Sequence, residues 1–537
     1  MPTERTYPGA YIGETPGGVR TITGVATSIT AFVGRAACGP IDGDAESPVI
    51  INGYSDFEGS FGAIDPAYPM GYAVRDFYLN GGAQAAIVRL YKANGTPAPA
   101  KAVIRIADLP LEAASPGSWG NQLRARIDAN VSAEIAAGCG LASTDLFNLT
   151  VRDMASGTQE SFLNLSVKES LRRVDRVLEA SSLLARVAAT LVLPATVVPA
   201  ADPDPDAGKT VWDQDKSSTG VAAADQAADS AALDDAAYLG DPNARTGIYT
   251  LLKADLFNLL CIPPDLRDGN TSATVYQAAM AFCVDRRALL IVDAPAEWSS
   301  AGSITQSNNA ALTALGLNGD AARNAALYFP RVIESDPTRQ GQPDAFVPCG
   351  IVAGVMARTD AQHGVWKAPS GANAALDGVQ GLACTLTDAD NGMLNSLAVN
   401  CLRSFPSIGP VVWGARTLCG ADLLVDEYKY VPVRRLALFI EESLYRGTEW
   451  VVFEPNNESL WAQLRLDVGA FMQNLFLQGA FHGPTSQAAY FVKCGQDTTT
   501  PNDINLGIVN IEVGFAPLTP AEFVVIQIQQ LAGQPPP

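Results

Sequence analysis

Three short runs, "LFNLLCIPP", "RRALLIVDAP" and "AALYFPRVI", beginning at Leu256, Arg286 and Ala325, limit the fold more than any other feature of the chain. Each is continuously apolar and is flanked by helical or turn sequence. A strand with one wet face alternates apolar and polar residues, whereas a strand covered on both faces reads as an unbroken apolar run. Between the first two lies "TVYQAAMAFCVDR", with Val275, Ala278, Ala279, Phe282 and Cys283 at helical spacing. A helix over Thr274 to Arg286 is the crossover that parallel strands require. The expectation is an α/β domain with a doubly wound sheet.

The same rhythm occurs earlier. Ile29, Ala31, Phe32 and Val33 form a short β-prone run ending in a Gly/Pro turn. A helix is predicted around Tyr72 to Leu79, a stop at Asn80-Gly81-Gly82, and a strand over Ala85 to Leu90. The pattern breaks after about residue 105 and resumes near residue 245. In between, "FNLTVRDMASGTQESFLNLSV" reads as two strands joined by Ala-Ser-Gly-Thr, and "DPDPDAGKTVWDQDKSSTGVAAADQAADSAALDD" reads as a long exposed acidic loop.

Toward the C-terminus, Val433, Leu436, Ile440 and Leu444 make one apolar helical stripe, and Leu460, Leu464, Val468, Phe471 and Leu475 make another. Gly447 stops the first helix, Trp450 to Phe453 reads as a strand, and Pro455-Asn456-Asn457 supplies a turn and helix cap. A chain of 537 residues exceeds one core. The expected division is an extended arm (1–22), the first half of the α/β domain (23–104), an inserted β-rich domain with the acidic loop (105–240), the second half of the α/β domain (241–400), a compact α+β domain (401–514) and a terminal arm strand with a proline tail (515–537).

Charge and motifs exclude more than they suggest. The net charge is -20 and no run of Lys or Arg could neutralise a line of phosphates, so nucleic acid is not an expected partner. The start "MPTERTYPGAYIGE" lacks a secretory pattern and no apolar run approaches ~18 residues, so neither export nor membrane insertion is expected and the chain is read as cytoplasmic. Nine cysteines occur singly, without a CxxC pair, which supports neither zinc nor a disulfide framework. Gly208-Lys209-Thr210 lacks the earlier glycine of a phosphate loop, Pro203 standing in its place. His363 and His482 are the only histidines, both beside glycine, and no GxSxG or HExxH accompanies them. Adjacent helical residues point about 100° apart, so Glu441-Glu442 reads as a solvated edge. No catalytic, cofactor or metal residues are expected.

Taken in order, "YPGAYIGETPGGVRTITGVATSITAFVGRAACGP", "DFEGSFG", "AVRDFYLNGGAQAAIVR", "SPGSWGNQL", "HGVWKAPSGAN", "VVWGARTL", "VRRLALFIEESLYRGTEWVVFEPN", "LWAQLR" and "GFAPLTPAEFVV" resemble the tail sheath protein of contractile phages and related injection systems. The resemblance spans roughly two-thirds of the chain and is weakest over about residues 105 to 240. It implies a subtilisin-like fold for the α/β domain, and a structural, non-enzymatic subunit. Such subunits stack as hexameric rings in a helical sheath around an inner tube, between baseplate and terminator proteins, and contract to drive the tube through a target envelope. It also implies that both chain ends donate strands to neighbouring subunits. Carried onto this chain, the donors are Gly9, Ala10, Tyr11, Ile12, Gly13 and Glu14, and Phe523, Val524, Val525, Ile526, Gln527, Ile528 and Gln529, with Thr15 to Arg20 and Phe515 to Pro520 as hinges. The last strand alternates: Val524, Ile526 and Ile528 share a wholly apolar face. Tube contact is expected on a helix from Glu458 to Gln478, through Glu458, Trp461, Arg465, Gln473 and Gln478. A subtilisin-fold hydrolase and a non-contractile shell or tube component are the alternatives.

Overall fold

The computed structural model describes residues 21–94, 100–188, 193–197 and 205–523. The chain divides into two compact units, one from Thr27 to Arg435 and one built by Leu436 onward together with the described residues before Thr27.

The larger unit is organised by an eight-stranded sheet. Its order is Gly409–Val412, Val399–Phe405, Ala325–Phe329, Leu289–Asp293, Leu259–Cys261, Thr30–Gly34, Ala85–Arg89 and Val49–Ile51. The six inner strands are parallel and the two outermost run antiparallel. Strand order reverses at Thr30–Gly34, whose neighbours are Ala85–Arg89 on one side and Leu259–Cys261 on the other. Each of the three diagnostic apolar runs supplies a parallel strand.

Two separate cores explain why those runs lack alternation. Leu260, Leu290, Val292 and Leu327 pack with Val275, Ala279 and Phe282 of the Ala273–Asp285 helix. Leu259, Cys261, Leu289 and Ile291 face the other way, toward Ala73 and Phe77 of the Pro69–Leu79 helix and Ile351 and Val355 of the Cys349–His363 helix. Both faces are therefore covered. The crossover helix starts where Ser272 Oγ accepts the Val275 N–H, and Pro69 opens its helix at a position where no N–H is needed.

The third run does not continue as one strand. It stays in the main sheet to Phe329, and Val332–Asp336 then joins a separate antiparallel sheet between Gln342–Phe346 and Val379–Leu382. Pro330 has no N–H to donate to a ladder, which ends the first strand there. The strand Val399–Phe405 straddles the expected boundary at residue 401, and residues through Arg435 belong to the α/β unit.

The intervening region has sheets of its own: Val103–Ile106, Leu109–Ala113 and Ala185–Val187 in one, and Thr219–Gly220, Leu123–Asp128, Phe147–Asp153 and Gln159–Leu165 in the other. Leu111, Leu149, Val151 and Leu165 close a core between them. The expected hairpin is present, turning through Gly157 at φ +77°. The acidic stretch after it is not a free loop. Trp212 is buried, the Arg152 guanidinium lies 5.9 Å from its ring, Arg124 donates to Asp215 Oδ1 and the Ser218 carbonyl, and Thr219–Gly220 pairs as an edge strand. The acidic residues hid these few anchors in the sequence.

In the second unit the Glu458–Leu477 helix begins at Asn457, whose Oδ1 accepts the Leu460 N–H at 3.1 Å, and buries Leu460, Leu464, Val468, Phe471 and Leu475. A two-stranded sheet pairs Tyr490–Lys493 with Glu512–Phe515. Trp450 to Phe453 is not a strand: Glu449–Val451 is one 3-10 turn and Phe453 is exposed at φ +73°. Its apolar residues reflect packing of Trp450 and Val451 against Leu460, Trp461 and Leu464.

Candidate functional site

The residues with chemical potential are dispersed. Lys209 precedes a turn in which the Thr210 N–H and Oγ1 both donate to Asp213 Oδ2 at 2.7 Å, an arrangement that closes the loop on itself. His363 ends the Cys349–His363 helix beside a cavity of about 190 Å³ lined by Thr359, Gln362, Lys367, Ser370 and Asn373. Among the described residues no hydrogen bond joins its imidazole to a hydroxyl or carboxylate. His482 is exposed in the other unit, where its backbone N–H donates to the Ala516 carbonyl. The Glu441-Glu442 pair is split by the helix. Glu441 is exposed, whereas Glu442 is buried and accepts from Arg446 Nε at 2.7 Å, so only one of them is the solvated edge expected of both.

Open parallel sheets bind ligands beyond the carboxyl ends of their strands. Here that position is filled. Asp293 ends its strand buried, and its Oδ1 accepts the Cys349 N–H at 2.9 Å at the start of the Cys349–His363 helix. Burial pushes the Asp293 carboxyl up to about 6 and the Cys349 thiol well above its ordinary value. The cavity beside them, lined by Thr271, Tyr276, Asp293, Pro295 and Arg331, holds about 10 Å³. That is room for one water. A neighbouring cavity of the same size lies against Tyr72, Asp76 and Arg267.

Those residues belong to a buried charge cluster that spacing in the sequence does not reveal. Arg75 donates to Asp76 Oδ1 at 2.7 Å and to Glu334 Oε2 at 2.6 Å. Arg267 reaches Asp336 at 2.6 Å and Asp344 at 2.7 Å, and the Tyr72 hydroxyl donates to Asp336 Oδ1 at 3.0 Å. These pairs tie the Pro69–Leu79 helix to the Val332–Asp336 strand.

The proposed tube-facing residues fall on different faces of their helix. Trp461 is buried, its Nε1–H donating to Asn456 Oδ1 at 2.8 Å. Arg465 donates to Glu458 Oε1 at 2.7 Å and to the Cys494 carbonyl. Gln473 accepts from the Tyr490 hydroxyl at 2.8 Å, and Gln478 follows the helix with its Nε2–H on Asn474 Oδ1. The positions of this stretch that reach solvent are Glu458, Ser459, Ala462, Leu466, Ala470, Asn474, Leu477 and Gln478, two of the five expected residues among them.

The strand donors Gly9 to Glu14 and Val524 to Gln529 lie outside the described residues; Phe523, the last described residue, is exposed. The hinge expected over Phe515 to Pro520 is held at its start. Phe515 pairs with Tyr490, the Ala516 N–H donates to the Ala489 carbonyl, and Pro517 bridges to Phe481. In the two-stranded sheet, the outer edge of each strand pairs with no other strand among the described residues.

Together the described residues form an α/β unit with only water-sized cavities beside Asp293 and Tyr72, and a two-stranded sheet near the C-terminus whose outer edges no other described strand pairs. The sequence profile of the phage tail sheath protein central domain matches residues 244–418, and that of the phage tail sheath C-terminal domain matches residues 426–530. The chain belongs to the contractile tail sheath family. It is 27% identical to the tail sheath protein of Enterobacteria phage T4 over 156 residues, a stretch that is 29% of this chain and 22% of the T4 protein.

Among solved structures, the sheath complex of an extracellular contractile injection system in its contracted state aligns over 98% of both chains (20% identity, TM-score 0.56). The contracted helical sheath of the anti-feeding prophage aligns over 98% of this chain and 99% of its own (21%, 0.54). A sheath tail protein of Listeria innocua aligns over 93% and 96% (13%, 0.57). At these identities the likeness is one of fold. No helix among the described residues is long and apolar enough to cross a membrane.

Proposed function

We propose that this chain is the repeating subunit of a contractile sheath, that it polymerises as stacked hexameric rings around an inner tube, and that contraction drives the tube through a target envelope. The observation that carries the reading is that, among the described residues, no other strand pairs the outer edges of the sheet of Tyr490–Lys493 and Glu512–Phe515, in a chain of the sheath family. An unpaired edge presents N–H and C=O groups that an extended segment of another chain can satisfy. The ends of this chain, Gly9 to Glu14 and Phe523 to Gln529, are such segments by composition. Backbone pairing is directional, and glycine-rich linkers can still bend, so subunits can rotate as rigid bodies while remaining joined.

On this reading the α/β unit is a subtilisin-like frame that has kept architecture without a triad; the body divides as the sequence suggests, except that the α/β unit runs on through Arg435, and the inserted sheets lie outermost. The tube-facing surface is the Glu458 to Gln478 helix, where the expected residues Glu458 and Gln478 are exposed with Ala462, Leu466, Ala470, Asn474 and Leu477. Contraction draws on energy stored in a metastable packing at assembly and requires no nucleotide. Assembly takes place in the bacterial cytoplasm, with a tube, baseplate and terminator as partners. Electron microscopy of the purified particle before and after triggering tests this: the expected sleeve shortens and widens, and a sleeve of unchanged length after tube ejection refutes contraction.

A further inference from the structure

We propose that the loop tip Leu423-Leu424-Val425 is a self-association contact that seats against a second copy of this chain; the inference rests on the sheath reading above. Leu423 is 95% exposed, Leu424 52%, and Val425 has no shelter from its own chain. Scattered apolar residues on a surface are ordinary, but three in a row on one loop tip are not, and contiguous apolar surface marks interaction sites.

The loop is held in shape. The Asp422 N–H donates to the Ser396 carbonyl at 3.0 Å, the Leu424 N–H to the Ala421 carbonyl at 2.9 Å, and Thr417 Oγ1 to the Tyr428 carbonyl at 2.7 Å. The Tyr428 N–H donates to Asp426 Oδ1 at 2.8 Å. Burying a tip already fixed by its own backbone costs little further ordering, which is what a contact surface needs.

Charge decides which partner suits it. Copies of a chain carrying -20 repel one another unless their contact patches are locally neutral. At this loop Asp422 is paired with Arg416 and Lys429, each at 2.9 Å, and Asp426 with Arg323 at 2.9 Å. With the exposed Glu427, three anions stand beside three cations. The patch is apolar at its tip and balanced at its rim, so another copy can cover it without adding repulsion. A basic partner would gain no attraction there. The loop also falls in the gap between the two matched sheath profiles, which end at residue 418 and resume at residue 426.

The test is the full-length double variant Leu423→Ser/Val425→Ser, with Leu423→Ile/Val425→Leu as the apolar control. Both side chains are outside the core, so melting of the unassembled subunit is expected to match wild type. Sleeve formation is expected to need a protein concentration higher by roughly 10- to 100-fold, the scale of two apolar side chains left in water. The apolar control is expected to assemble normally. Normal sleeves from the serine variant at the wild-type concentration overturn the contact. Normal sleeves that no longer enclose the tube overturn it as well, because they assign the tip to the tube. If the wild-type chain forms no sleeves under any condition, the sheath reading itself falls, and this contact with it.

Discussion

Arg75 stands between two carboxylates that are almost wholly buried, Asp76 and Glu334, and one cation cannot neutralise both. Asp76 takes two of its hydrogen bonds, at 2.8 and 2.7 Å. Burial first, and then the facing Asp76 carboxylate, push the Glu334 carboxyl up to about 9. The folded protein therefore holds a proton at Glu334 that an unfolded glutamate releases at about 4.3. Between those values the native state binds more protons than the unfolded state, so this group's contribution to stability falls as pH rises through the window. Glu334→Gln keeps the shape and removes the titration. Relative to wild type, the variant is expected to gain stability steadily from about pH 5 to 9, reaching on the order of 1–3 kcal/mol at the alkaline end. Denaturant unfolding of the unassembled subunit across that range checks it, and a pH-independent difference contradicts it. Adjacency in the sequence drew attention to Glu441-Glu442, yet the helix turns the two apart and pairs Glu442 with Arg446. Asp76 and Glu334 lie far apart in the chain, and only the fold brings them together.

At the scale of elements, the apolar runs were legible because double burial writes itself as lost alternation, and the helix from Tyr72 was legible from its stop at Asn80-Gly81-Gly82. The Cys349–His363 helix was not read: its first turns are buried all round, so no stripe marks it. Its glycines have a purpose that only packing shows. A Cβ at Gly350 would lie 2.0 Å from the Ala73 carbonyl oxygen, and one at Gly354 would lie 2.5 Å from that of Phe77. Four residues apart, the two glycines share a face and let this helix approach the backbone of the Pro69–Leu79 helix. Ordinarily Gly→Ala inside a helix stabilises by up to about 1 kcal/mol. Gly350→Ala is expected to do the reverse, costing about 1–3 kcal/mol because two backbones must separate. Thermal unfolding decides the sign, and an unchanged or raised Tm shows that the helices yield. Trp450 to Phe453 failed in the opposite direction: β-prone residues were present without a ladder to join, and packing against Trp461 had selected them.

At the scale of the whole molecule, the sequence was legible as far as the family it belongs to. The terminal alternation of Phe523 to Gln529 lies beyond the described residues except for Phe523, and on the proposal above its partner is a sheet edge that no other described strand pairs. Less legible was how firmly the chain leading to it is held: Ala516 and Pro517 are hydrogen-bonded or bridged into the second unit, so bending must begin after Pro517. Deleting Phe523 to Pro537 therefore removes the donated strand and leaves the tether. The truncated subunit is expected to fold with an unchanged Tm, because no described contact of either unit's core is lost. It is also expected to remain unpolymerised at concentrations where the full chain forms sleeves. Moving the cut to Phe515 should do more, since it removes part of the strand that pairs with Tyr490–Lys493; there the Tm is expected to fall as well. The two truncations separate an arm that joins subunits from a strand that stabilises its own unit. Sleeves of normal length from the shorter deletion would refute strand donation at this end of the chain.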